Sequence, residues 1–198
     1  MSEKLDRHYW ENRYQTEDTH WSLGSPSPPI CHYIDQHTDR SARVLIPGAG
    51  DSSDAAYLHD CGYRDITICD ISPSAIERSK ALMSGKDGIS YLTDDFFCLQ
   101  GQYDLILEQT FFCAIDPALR PAYVDKMADL LAEGGTLAGL LFASEFGKEG
   151  PPFGGNIDEY RSLFGNKLHI HSIDMCYNSV APRQGNELFF ICKKLASM

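Results

Sequence analysis

Seven short apolar runs punctuate the chain, at residues 44–46, 65–69, 89–92, 103–107, 136–142, 168–176 and 188–193. Val44-Leu45-Ile46 and the stretch 136–142 are almost continuously apolar, which suits strands covered on both faces. The stretches of mixed polarity between them read as helices. Residues 4–15 bring Leu5, Tyr9 and Tyr14 near one face. Pro28 and Pro29 are placed to open a helix through Ile30 and Ile34. Residues 54–61 form another, stopped by Gly62. Ser72 caps a fourth, reaching about residue 83. An amphipathic helix over 120–131 is expected to stop at Gly134-Gly135, and a last one spans 157–164. Residues 19–29, rich in Ser, Gly and Pro, read as a loop. Strands alternating with helices predict a parallel sheet with helices on both faces. The last two strands have only Arg183-Gln184-Gly185-Asn186 and neighbouring loop residues between them, so they predict an antiparallel hairpin at one edge.

The first strand runs into Pro47-Gly48-Ala49-Gly50, and the second ends at Asp70. Glycines after a strand let the backbone approach a ligand, and an acid about 20 residues on can accept from ribose hydroxyls. The third glycine of the dinucleotide fingerprint is missing: Asp51-Ser52-Ser53-Asp54 follows instead. That weakens the case for a nicotinamide dinucleotide. Asp51 and Asp54 also stand where a pyrophosphate needs positive potential, so they fit a nucleoside ligand without phosphate better.

Composition narrows the class further. With 198 residues and 43% hydrophobic content, the chain has enough material for a full core. Its net charge of −11 and lack of a Lys/Arg cluster disfavour nucleic acid and membrane surfaces as partners. The start, Met1-Ser2-Glu3-Lys4, carries no apolar signal core, so a soluble cytoplasmic protein is expected. The seven cysteines are scattered with no Cys-x-x-Cys pair, which reads as reduced thiols. His59 lies near Cys61, and His169 and His171 share a strand, but no four-ligand metal spacing appears.

Several motifs together resemble the thiopurine S-methyltransferase superfamily, in particular its thiol/halide methyltransferase-like branch. They begin with Trp10, Arg13 and Tyr14, then Thr19, Trp21 and Gly24. Pro47-Gly48-Ala49-Gly50, Asp70-Ile71-Ser72 and Asp95-Phe96-Phe97 follow. The most specific is Thr110-Phe111-Phe112-Cys113-Ala114-Ile115-Asp116-Pro117, with Arg120-Pro121-Ala122-Tyr123 and Lys126-Met127 after it. Gly150-Pro151-Pro152-Phe153 and Pro182-Arg183-Gln184-Gly185-Asn186-Glu187 complete the set. The resemblance covers nearly the whole chain. It implies one S-adenosylmethionine (SAM) methyltransferase domain over residues 1–198, with 1–40 an N-terminal helical lid. The implied fold is α/β: a three-layer, Rossmann-like sandwich around a mostly parallel seven-stranded sheet with an antiparallel C-terminal hairpin strand.

The resemblance also implies roles. Gly48 and Gly50 line the amino-acid part of SAM and its sulfonium. Asp70, with Ile71 beside it, holds the ribose. Asp95 or Asp94 accepts from the adenine amino group while Phe96 packs on the ring. Trp10, Tyr14 and Trp21 close over the cation, since aromatic faces attract a nearby positive charge. Glu108 and Gln109, after the fourth strand, meet the methionine part. Phe112, Pro152, Phe153 and Arg183 face the acceptor. Relatives often carry Trp at position 14, Asp at 22, Arg or Tyr at 109 and, in plant-type halide enzymes, Tyr at 153. The Pro-Pro-aromatic run follows the fifth strand and lacks Asn/Asp, unlike the motif of amino-methylating nucleic-acid enzymes. The implied activity is methyl transfer to a small thiol, sulfide or related soft nucleophile, by a monomer or homodimer that needs no metal. Arg120 and Arg183 are candidates for favouring a thiolate, and no residue stands out as a dedicated base. An O- or N-methyltransferase of a small metabolite, and a catalytically silent SAM-binding protein, are the alternatives.

Overall fold

The computed structural model describes residues 4–37, 39–147 and 150–195. The two ends of the expected 1–198 domain therefore lie outside the described residues, as does position 38 of the expected 1–40 lid. The sheet has seven strands in the order β3-β2-β1-β4-β5-β7-β6. The chain divides into two compact units, Met1–Leu99 and Gln100–Met198.

In the first unit, α1 (Arg7–Gln15) and α2 (Pro28–Gln36) precede β1 (Val44–Pro47), α3 (Ser53–Asp60), β2 (Ile66–Asp70), α4 (Pro73–Leu82) and β3 (Ile89–Thr93). The three strands pair in parallel, Val44 opposite Ile66 and Ile66 opposite Ile89. Every residue of β1 and β2 is buried, including Thr67 and Asp70 of β2, whereas β3 at the sheet edge is only partly covered. Parallel register brings the C-terminal ends of these strands together, so Pro47 stands opposite Cys69 and Asp70 opposite Thr93. The glycine turn, Asp70 and the Asp94-Asp95 pair thus leave the sheet at one end.

In the second unit, β4 (Tyr103–Glu108) pairs in parallel with β5 (Leu131–Phe142), and α5 (Arg120–Leu130) connects them. Helix α6 (Ile157–Gly165) leads to β6 (Leu168–Met175), and β7 (Glu187–Lys194) runs antiparallel to both β5 and β6. The expected reversed strand is therefore present, and it lies between β5 and β6. Asn156 caps α6 by accepting from the N–H groups of Asp158 and Glu159, and those two acids occupy its positive end.

The reading of Gly134-Gly135 as a helix stop is corrected here. Helix α5 ends at Leu130, and Leu131 turns directly to an extended conformation that begins β5. Leu131 is fully buried opposite Tyr103, while the next paired positions are Leu105 and Thr136. The extra residues on β5 loop out, and the glycines serve that irregularity. A Cβ on Gly135 would sit 2.9 Å from the Tyr103 carbonyl, and Gly134 has φ +74°. Burial of Leu131 in the sheet overrides the local stop signal.

Glu108 closes β4 and is fully buried. Its Oε1 accepts from the N–H groups of Phe111 (2.9 Å) and Phe112 (3.0 Å), and its Oε2 from the Tyr123 hydroxyl. Burial pushes this carboxyl up to about 7 despite those donors. Across the strand pair, a Cβ on Gly139 would fall 2.1 Å from the Glu108 carbonyl oxygen.

Two outcomes follow from this packing. Gly139→Ala forces β4 and β5 apart and should lower the unfolding free energy measured by urea titration by at least the roughly 1–3 kcal/mol typical of overpacking. Glu108 holds its proton more tightly folded than unfolded, so its contribution is full below about pH 4.5 and is lost as pH rises through about 7. Urea titrations at pH 5 and pH 8 should show that fall, and Glu108→Gln should flatten it.

Candidate active site

Two clusters of side chains sit at the sequence-marked positions, one in each unit. In the first unit the centre is Asp70, which is 7% exposed. Its Oδ2 accepts from Gly50 N–H at 3.0 Å, and its Oδ1 from Ser72 N–H at 2.9 Å. Burial pushes this carboxyl up to about 6, against the pull of the Ser72, Gly50 and Ile71 N–H groups. With about four lone-pair sites on its two oxygens, the carboxylate can still accept a further donor. Gly48 and Gly50 both adopt positive φ, +57° and +54°, a conformation that glycine takes without cost.

Tyr14 stands against the turn. A Cβ on Gly50 would lie 2.9 Å from the Tyr14 hydroxyl and 4.0 Å from Trp21 Nε1. Tyr14 is buried, and burial, with the charge of Asp70 nearby, pushes its hydroxyl well above the ordinary tyrosine range. Trp21 packs edge-on against Tyr14 (5.6 Å between centroids) and Trp10 (5.5 Å). Arg13 stacks over Trp21 at 5.0 Å, and Arg78 over Tyr14 at 5.3 Å. The three expected aromatics therefore form one cluster beside Gly50 and Asp70.

The loop carrying Trp21 is tied down by the acids that follow the glycines. Ser22 Oγ donates to Asp51, and Ser27 N–H donates to Asp54 at 2.7 Å. These bonds hold the 19–29 loop to the start of α3, a structural role the two carboxylates carry besides the negative charge they place after the glycine turn. At the end of β3, Asp95 caps the 3-10 turn Phe96–Cys98 by accepting from Phe97 N–H, and Asp94 accepts from Asp95 N–H. Both acids are exposed, and Phe96 is buried edge-on to Phe97.

In the second unit several expected roles shift. The Glu108 carboxylate is turned inward onto the Thr110–Phe112 backbone and Tyr123, so it shapes the strand end and does not face a ligand. Gln109 beside it is half-buried, and its Oε1 has no hydrogen-bond partner among the described residues. Phe112, expected at the acceptor, is 1% exposed and packs on Tyr123, Tyr160 and Phe164. An apolar ring beside a fully buried carboxylate completes the core there. Arg120 is also buried. It bonds Glu159 at 2.6 Å and the Gly154 carbonyl at 2.8 Å, and stacks on Phe112. Arg183 pairs with Glu187 at 3.4 Å. Pro152 and Phe153 are half-exposed, and Phe153 N–H donates to the Cys113 carbonyl at 2.7 Å. They line a groove of about 540 Å³ with Pro117, Phe146 and Glu145.

Sequence reading missed Glu11, Ser74 and Arg78, whose key contacts lie more than 60 positions along the chain and which belong to none of the quoted motifs. Tyr123 stood in a quoted motif, but its bond to Glu108 was not foreseen.

Residues 5–190 match the thiopurine S-methyltransferase family. The probable thiol methyltransferase 2 of Arabidopsis thaliana is 34% identical over 185 residues, covering 90% of this chain and 81% of the relative. Thiocyanate methyltransferase 1 of Brassica oleracea is 29% identical over 201 residues, covering 98% and 88%. The fold matches the 1,6-didemethyltoxoflavin-N1-methyltransferase of Burkholderia thailandensis, solved with S-adenosylhomocysteine, with TM-score 0.75 and 19% identity over 96% of this chain and 87% of that one. A glycine turn under an aromatic cluster, a buried acid at the end of the second strand and a family match over residues 5–190 converge on one reading: the chain belongs to the thiopurine S-methyltransferase family and is a SAM-dependent S-methyltransferase.

Proposed function

We propose that this enzyme methylates small organic thiols at sulfur. The observation that carries the cofactor side is the convergence of Gly50, Asp70, Tyr14 and Trp21. In this reading SAM supplies the electrophilic methyl group. Gly48 and Gly50 give its amino-acid part backbone to lie against. Asp70, beside Ile71, accepts from the ribose hydroxyls with the lone pairs its backbone donors leave free. Trp10, Tyr14 and Trp21 offer ring faces to the positive sulfonium and keep water away. Asp94 or Asp95 accepts from the adenine amino group, and Phe96 backs the ring. Gln109 is the candidate polar contact after β4, because its Oε1 has no hydrogen-bond partner among the described residues.

On the acceptor side, the reading takes Pro152 and Phe153 as apolar contacts for the thiol. Arg120, locked to Glu159 and Gly154, shapes their loop and is not free to carry a thiolate. Arg183 is the remaining candidate near the acceptor, although Glu187 offsets its charge. No acid–base residue is needed, since positioning an ionised thiol in line with the methyl can supply much of the rate. Support for sulfur comes from the thiol methyltransferase relative. Phe153 offers no hydroxyl to a hydrated halide, which favours an organic thiol over iodide or thiocyanate. We further read the enzyme as cytoplasmic, a monomer or homodimer that acts on a small molecule and not on nucleic acid. Its seven free cysteines and its negative charge support that reading, and no helix among the described residues is long and apolar enough to cross a membrane.

Two measurements test this. In calorimetry, Asp70→Ala should weaken S-adenosylhomocysteine by on the order of 1–3 kcal/mol. The wild-type affinity should fall as pH drops through about 6, where Asp70 gains its proton, and Asp70→Asn should remove that dependence. An unchanged affinity in folded Asp70→Ala contradicts the assignment. In a labelled-SAM screen of an aromatic thiol, an alkyl thiol, sulfide, a thiopurine, iodide and a catechol, thiols should turn over fastest. Their rates should climb toward the free thiol's pKa, about 8.5 for an alkyl thiol, and then level off. Faster turnover of the catechol than of every thiol defeats the sulfur assignment.

A further inference from the structure

Helix α1 bears a carboxylate that the proposed chemistry does not use. Glu11 projects onto the start of α4. Its Oε2 accepts from Ser72 Oγ at 2.6 Å and from Ser74 N–H at 3.0 Å, and its Oε1 from Ser74 Oγ at 2.6 Å and Gln15 Nε2 at 2.8 Å. Both oxygens are thus saturated by donors, most of them more than 60 positions away in sequence. Burial would raise its pKa, but the Ser72 and Ser74 bonds outweigh that and hold the carboxyl down at about 2.

The partner matters more than the number of bonds. Ser72 is the residue whose N–H donates to Asp70 Oδ1, and its hydroxyl also caps α4 through Ala75 N–H. A continuous path therefore runs from Glu11 through Ser72 to Asp70. Trp10 adjoins Glu11 on the same helix, and Tyr14 follows about one turn later, against Gly50. A second tie, from Arg78 to the Tyr14 carbonyl at 2.8 Å, holds the C-terminal end of α1 to the same helix α4. With its middle and its C-terminal end both held, the rotation and height of α1 over the glycine turn are set. A serine-to-carboxylate contact on an exposed helix would be a minor surface feature. Here it joins the aromatic cluster to the acid of the cofactor site.

We propose that Glu11 is a positioning residue for SAM: through Ser72 and Ser74 it locks the aromatic helix to the Asp70 turn, so that roof and ribose acceptor are assembled before the cofactor arrives. This rests on the reading that Asp70 and the aromatics hold SAM. Preassembly removes an ordering cost from binding, so its loss is felt in cofactor affinity and not at the acceptor.

The test compares Glu11→Ala, Glu11→Gln, Ser74→Ala and the Glu11→Ala/Ser74→Ala double variant with wild type. Glu11→Ala should raise the SAM KM and the S-adenosylhomocysteine Kd about tenfold. The acceptor KM, and kcat at saturating SAM, should move less than about twofold. Glu11→Gln keeps an acceptor and should fall between. The double variant should be no worse than Glu11→Ala, because both changes break the same contact. Since Glu11 is ionised throughout pH 5–9, the gap between Glu11→Gln and wild type should be constant across that range. Should Glu11→Ala fail to fold, Glu11→Gln and Ser74→Ala carry the same readouts. Wild-type SAM affinity in the folded variants overturns the proposal, as does a loss confined to kcat or the acceptor KM. Asp70→Ala measured alongside separates the two ideas: if it too binds S-adenosylhomocysteine normally, the cofactor reading fails, and if it alone weakens binding, only the role of Glu11 fails.

Discussion

The first unit is organised around one buried carboxylate. Asp70 ends a strand with no exposed residue, where an ion without partners would be costly. Its oxygens are met by N–H groups from the turn after β1 and the turn after β2. Those bonds set the path of both turns. They need Gly50 in a left-handed conformation and Ser72 at the start of α4, where it also acts as the cap. Tyr14 and Glu11 then reach the same two turns from α1. The acid read as a ligand contact is equally the knot that keeps the cradle in shape.

The second unit repeats the device with a different result. Glu108 also ends a buried strand and also accepts two N–H groups from the turn that follows. There the second oxygen is taken by Tyr123, and the aromatic rings of Phe111, Phe112 and Phe164 pack around that residue. The carboxylate is closed off and becomes scaffold. Two acids at the same kind of position therefore differ because one has a side-chain donor buried beside it and the other, among the described residues, is met by backbone donors. Arg120 is likewise drawn inside, where it links α5 to the 150–155 loop and to α6.

Much of this was legible in the chain alone. Continuous apolar runs marked the buried strands. Pro, Ser and Gly marked the starts of α2 and α4 and the end of α3. The absence of a helix between the last two strands marked the antiparallel hairpin. These are local or periodic signals, decided by backbone conformation and by which faces are covered, so they survive without tertiary knowledge. The glycine turn and the acid at the end of the second strand were visible for the same reason, whereas the role of the aromatic N-terminal segment came from the family resemblance.

What a side chain does with its polar atoms was settled only by the folded chain. Asp51 and Asp54 gave no sign in the sequence that Ser22 and Ser27 would be their partners. Phe112 looked like a pocket wall until three rings enclosed it. Gly134-Gly135 looked like a helix stop until Leu131 was drawn into the sheet opposite Tyr103. Glu11 carried no signal, because its partners lie more than 60 residues away. Sequence by itself determined which elements form and which residue types gather at the strand ends. Tertiary structure decided which of those residues remain open to a ligand, since hydrogen-bond partners and burial are set by neighbours in space.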